Sequence, residues 1–81
     1  MNRILDYVLF PNPAQESAYV NINLETLISV DCYDITGKKL KLLFGQKEKV
    51  LEIDLRKLQK GIYFVQIQTD KKTTCQKLII E

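Results

Sequence analysis

Apolar and polar side chains alternate with period two along most of this chain, the pattern of strands that lay one face on a core and the other in water. From Ser17 to Leu24 the run places Ala18, Val20, Ile22 and Leu24 on one face and Tyr19, Asn21 and Asn23 on the other. Ile28 to Asp34 groups Ile28, Val30 and Cys32, so Cys32 points inward as a small hydrophobe. Lys39 to Phe44 sets Leu40, Leu42 and Phe44 against Lys39, Lys41 and Leu43, and Lys49 to Leu55 sets Leu51, Ile53 and Leu55 against Val50, Glu52 and Asp54. Ile62 to Thr69 turns Tyr63, Val65 and Ile67 away from Phe64, Gln66 and Gln68, and Thr73 to Ile80 closes on Leu78-Ile79-Ile80. With Ile4 to Phe10 as the first, seven strands are expected. Helical spacing is nowhere sustained; Asp54 to Leu58 has room for one short turn.

The connections carry turn chemistry. Pro11-Asn12-Pro13 follows the first strand, Thr36-Gly37-Lys38 the third and Gly45-Gln46 the fourth; Lys60-Gly61 precedes the sixth and Thr69-Asp70-Lys71-Lys72 the seventh. Seven short strands joined in this way predict an all-β, immunoglobulin-like sandwich of two mainly antiparallel sheets without a substantial helix. The Cys, Trp, Cys spacing of antibody domains is missing. At 81 residues the chain makes one small domain with a thin core, and 46% hydrophobic with 27% charged residues is the balance of a folded chain.

Composition argues against chemistry. Histidine is absent, which removes the commonest general base and a common zinc ligand. Asp31, Asp34, Glu52 and Asp54 are the carboxylates available for acid and base work, but they fall at outward strand positions or turn caps. No catalytic residue, metal site or cofactor is expected. Residues 1–36 hold one base, Arg3, against five acids, whereas residues 37–81 hold eleven bases against five acids. That skew serves solvated strand faces and blunted edges, or it attracts an anionic partner. Nucleic acid is not expected, because the lysines are scattered and no stacking motif is interleaved with them. No stretch is apolar enough to span a membrane as a helix, and Arg3 and Asp6 interrupt the N-terminal segment too early for a signal peptide. Cys32 and Cys75 are too few for a disulfide scaffold and read as two free thiols, buried or half-buried.

Four pieces in fixed order carry a resemblance. They are Phe10-Pro11-Asn12-Pro13-Ala14, Tyr33-Asp34-Ile35-Thr36-Gly37-Lys38, the run from Ile53-Asp54-Leu55 through Leu58-Gln59-Lys60-Gly61-Ile62-Tyr63-Phe64-Val65-Gln66-Ile67, and Lys77-Leu78-Ile79-Ile80. Together they resemble the type A C-terminal sorting domain of the type IX (Por) secretion system of Bacteroidetes, over residues 1–81. The resemblance implies the tail of a larger secreted cargo protein, carried through the periplasm to the outer-membrane surface or the medium. Its implied partners are the outer-membrane machinery, namely a shuttle protein, a sortase and the translocon, with anionic lipopolysaccharide reached indirectly through cargo attachment. The residues expected to take part in recognition are Pro11, Asn12, Pro13, Gly61, Tyr63, Lys77, Leu78, Ile79 and Ile80.

Each piece also has a structural use. Pro11 and Pro13 fix two φ angles and end any ladder, so Pro-Asn-Pro is a stiff, extended elbow, a contact, or both. Asp34 and Gly37 bracket a tight turn, and Tyr63 fills the core with its hydroxyl satisfied at the rim. The last strand either completes a sheet or offers an edge, flanked by Lys71, Lys72 and Lys77, that a partner reads by strand addition. If Cys32 and Cys75 lie on neighbouring strands, an oxidising periplasm can join them. The alternative function is a carbohydrate-binding or adhesive accessory domain, for which Tyr19 and Tyr33 are the candidate platform.

Overall fold

The computed structural model describes residues 7–81. Its strands are β1 (Ser17–Asn21), β2 (Leu27–Asp34), β3 (Lys39–Leu40), β4 (Leu43–Lys47), β5 (Val50–Asp54), β6 (Gly61–Thr69) and β7 (Thr73–Ile80), and no helix occurs among the described residues. They form two antiparallel sheets, one ordered β1-β5-β4 and the other β3-β2-β6-β7. This arrangement is all-β and consistent with an immunoglobulin-like sandwich.

The two inner faces supply one core. Ala18, Val20, Leu51 and Ile53 come from the three-stranded sheet; Val30, Cys32, Tyr63, Val65, Ile67, Leu78 and Ile80 come from the other. Pairing explains the sorting, because residues opposite one another in an antiparallel ladder share a face. Ala18 sits opposite Ile53 and Val20 opposite Leu51; Cys32 sits opposite Val65 and Tyr63 opposite Leu78. Tyr7, Leu9, Ala14, Ile22 and Leu55 fill the ends from connecting segments.

Seven strands are present among the described residues, but divided differently from the periodicity. The first expected strand reduces to one bridge: residues 4–6 lie outside the described residues, and of the remainder only Phe10 pairs, exchanging backbone bonds of 3.0 and 2.8 Å with Tyr19. Proline has no N–H to extend that ladder. The expected Lys39–Phe44 strand divides at Lys41-Leu42, where the chain passes from one sheet to the other. Lys39 and Leu40 pair with β2, whereas Leu43 onward pairs with β5. The turn expected at Gly45-Gln46 lies instead within β4. The reversal falls at Glu48-Lys49, where Glu48 takes a φ of 55° and Gln46 Nε2 donates to the Glu48 carbonyl at 3.0 Å.

Three inward assignments are corrected for related reasons. Leu24 is 87% exposed, because β1 ends at Asn21 and Asn23 turns the chain with a φ of 59°. Ile28 is exposed because a register shift between Leu27 and Ser29 inserts an extra residue, leaving Leu27 against the core. Phe44 shares the inward side with Ile53 but remains 46% exposed, since every residue of β4 on that sandwich edge is open to water.

Candidate recognition surface

Parts of all four sequence pieces meet at one end of the four-stranded sheet, while Ile53 and Asp54 of the third lie in β5 of the other sheet and Phe10 of the first bridges to β1. Gly61 pairs with Ile80, Tyr63 with Leu78 and Asp34 with Tyr63, so β2, β6 and β7 bring the second, third and fourth pieces into adjoining positions. The first piece arrives along the outer edge of β7. Asn12 fastens there by its side chain: Nδ2 donates to the Lys77 carbonyl at 2.9 Å, and Oδ1 accepts from the Ile79 N–H at 3.0 Å. A primary amide carries one donor and one acceptor group much as a peptide does, which suits asparagine to this edge. Ala14 extends the pairing, donating to the Ile79 carbonyl at 2.7 Å and accepting from the Glu81 N–H at 2.8 Å.

This clamp changes the reading of the terminal edge. From Lys77 to Glu81 the strip that the second of the two readings offered to a partner strand is already occupied by Asn12 and Ala14. Strand addition there would first have to displace them. The proline-flanked segment is also not a simple extended elbow: Pro11, Asn12 and Pro13 form a bend, and the bonds preceding both prolines are cis. Asn12→Ala is expected to lower unfolding free energy by about 1–2 kcal/mol, the value of two modest, solvent-accessible hydrogen bonds. An unchanged denaturation midpoint would show that the clamp contributes nothing.

The remaining nominated residues are accounted for locally. Asp34 accepts from the Thr36 hydroxyl at 2.6 Å, the Thr36 N–H at 2.9 Å and the Lys38 N–H at 3.0 Å. Those bonds, led by the Thr36 hydroxyl and aided by the Lys38 charge, hold its carboxyl below the usual range. Gly37 closes the turn with a φ of 88°, and Gly61 enters β6 with a φ of 153°, conformations that L side chains rarely adopt. Tyr63 is buried, and its hydroxyl donates to the Gln59 carbonyl at 2.7 Å. It supports the surface from beneath.

Cys32 and Cys75 are both free thiols. Free thiols are what the sequence leads one to expect; the alternative, a bridge, required neighbouring strands, but β6 separates β2 from β7. Two strand spacings amount to roughly 10 Å, beyond disulfide reach. Cys32 also faces the core opposite Val65, whereas Cys75 lies opposite Gln66 and is exposed. Burial, reinforced by the nearby charge of Asp34, pushes the Cys32 thiol from 9.0 up to about 11.

Asp31, Asp34 and Asp54 are employed in structure, and Glu52 stands exposed on β5. Asp31 pairs with Lys39 at 3.3 Å. Asp54 binds the Arg56 guanidinium through Nε at 3.0 Å and Nη2 at 2.8 Å, and these bonds lead in lowering its carboxyl to about 2. Asp34 and Asp54 are therefore ionised at neutral pH and hold no proton to donate. Periodicity missed a polar knot at the opposite end of the sheet. There Tyr7 donates to Glu25, Thr69 Oγ1 donates to Glu25 at 2.7 Å, and Thr69 lies 2.9 Å from the Tyr7 hydroxyl. It joins residues far apart in sequence, with no local signature. Ala14 was missed as well; its short side chain between a proline and a glutamine gives no hint of complete burial.

Fold and surface together define a small all-β module whose distinguishing residues are gathered at one end. The chain belongs to the secretion system C-terminal sorting domain family, whose profile matches residues 8–81. It is a C-terminal sorting signal for type IX secretion, a class that interacts with that secretion machinery and accompanies cargo to the cell surface or extracellular space. No curated protein matches the chain.

Proposed function

We propose that this chain is the folded tail of a larger secreted protein and acts by being grasped. The observation that supports this reading is the convergence of Asn12, Asp34, Gly61, Tyr63 and Lys77 to Ile80, drawn from all four sequence pieces, on one end of the four-stranded sheet. A rigid scaffold presenting a fixed surface needs no shifted catalytic pKa and no cofactor. On this reading Pro11, Asn12, Pro13, Gly61 and Tyr63 shape the end of the sheet, and Lys77 to Ile80 supply its last strand. The machinery that engages it comprises a shuttle protein, a sortase and the translocon at the outer membrane. The sortase removes the tail as cargo is attached to anionic lipopolysaccharide or released.

The test is a signal-peptide-bearing fluorescent reporter joined to the N-terminus of this chain in a type IX-competent bacterium, beside the same reporter without the chain. Surface or extracellular fluorescence that depends on the chain is expected, with the released reporter shorter than the fusion by about the mass of the tail. Equal periplasmic retention of both reporters would overturn the sorting role. Export without shortening would overturn removal alone. Binding of the purified chain to a glycan array, combined with failure to export, would transfer the assignment to a carbohydrate-binding accessory domain.

A further inference from the structure

We propose that the outer face of the four-stranded sheet is the surface by which this chain is gripped, and that it fits a protein partner presenting an apolar patch rimmed by acidic residues; this rests on the sorting reading above. The register lays out that face. Lys39, Tyr33, Phe64 and Lys77 stand in one row across β3, β2, β6 and β7, and Ile62 and Ile79 form the row toward the motif-bearing end. Phe64 is 38% exposed, Ile62 43%, and Ile35, just beyond β2, 72%. A shallow hollow of about 390 Å³ lined by Asp34, Ile35, Lys60, Gly61, Ile62 and Tyr63 opens beside them. Contiguous aromatic and aliphatic exposure on a small chain marks a surface that something covers.

Charge selects the occupant. Lys39 is paired with Asp31, whereas Lys60 and Lys77 make no ion pair among the described residues. The apolar centre is therefore bordered by Lys60 and Lys77, while the Asp34 carboxylate of the same hollow is engaged by the Thr36 and Lys38 N–H groups of its own turn. The outer face of the three-stranded sheet is different: its rows run Tyr19, Glu52, Gly45 and Ser17, Asp54, Leu43, placing carboxylates at the centre. Two copies meeting through the cationic face would oppose their own lysines, which disfavours self-association. An anionic membrane is a poorer match, since electrostatic lipid binding typically draws on clusters of about four to eight basic residues. Here the apolar side chains stand out from one broad face of a sheet, shaped for another flat protein surface.

The test uses the reporter fusion with Ile62→Ser/Phe64→Ser in one tail, Lys77→Glu in another, and Leu43→Ser/Val50→Ser as a control on the opposite sheet. Both variants of the proposed face are expected to lose roughly tenfold or more of surface fluorescence, the loss expected from a single interface hot spot. The control is expected to export like the unsubstituted tail. Thermal melts of the purified chains establish folding. If the serine pair melts early, Lys77→Glu decides, because it leaves the apolar centre intact. Normal export by folded variants would overturn this surface and leave the sorting role standing, whereas failure of the unsubstituted tail would remove the sorting role itself. A dimer in sedimentation that Phe64→Ser dissociates would overturn the partner in favour of a second copy. Binding to phosphatidylglycerol vesicles that Lys77→Glu abolishes, with export unchanged, would overturn it in favour of a lipid.

Discussion

A chain ending at Gln76 is expected to show no cooperative thermal transition by circular dichroism, where the 81-residue chain melts in one. At 0.05–0.15 kcal/mol per residue, a domain of this length is stable by roughly 4–12 kcal/mol. The truncation removes Leu78, which is fully buried, and Ile80, which is 4% exposed. Cutting a single buried Leu or Ile back to Ala costs about 2–5 kcal/mol, and here the backbone that carries them is lost too. Asn12 and Ala14 then lose the four bonds that tie them to Lys77, Ile79 and Glu81, each worth about 0.5–1.5 kcal/mol. The summed loss is of the same size as the whole stability available. Terminal segments ordinarily fray. This one is held by β6 on one side and by Asn12 and Ala14 on the other, so it belongs to the fold as much as any internal strand. A truncated chain melting within a few degrees of the intact one would refute that. A tail lacking these residues would fail in export through unfolding alone, so solvent-facing substitutions are the proper probes of recognition.

The two thiols are expected to differ by on the order of 100-fold or more in rate toward an aromatic disulfide reagent at pH 8. With its thiol raised to about 11 by burial first and the Asp34 charge second, Cys32 is only about 0.1% thiolate at that pH. An ordinary thiol with a pKa near 8.5 would be roughly one quarter ionised. Cys32 is also inaccessible, whereas Cys75 is exposed on the sheet's outer side. One rapid equivalent per native chain and two in denaturant are expected. Two equally rapid equivalents would contradict the burial of Cys32, and none would indicate a bridge. The same shift carries a pH dependence. A folded-state value above the unfolded one contributes stability that is complete below about pH 9 and is lost as pH rises through about 11, so Cys32→Ala should flatten the alkaline limb of a stability profile.

What the amino-acid sequence determined by itself was orientation within strands. Ala18, Val20, Leu51, Ile53, Val65 and Ile67 all face the core as their alternation predicts, because successive side chains of an extended backbone must point to opposite sides. The Asp34 to Lys38 turn was equally legible, since its bonds span at most four residues. Alternation misplaced Leu24, Ile28 and Phe44, at a strand end, a bulge and an uncovered edge, where the regular pleat or its cover stops. Only the tertiary structure decided that Lys41-Leu42 changes sheets, that β6 stands between the cysteines, and that Asn12 closes the edge of β7. The Asn12 contacts join residues 65 and 67 positions apart, and the row from Lys39 to Lys77 crosses four strands. Which edges meet depends on how whole strands are ordered and registered against one another, and a pattern of nearest neighbours contains no term for that.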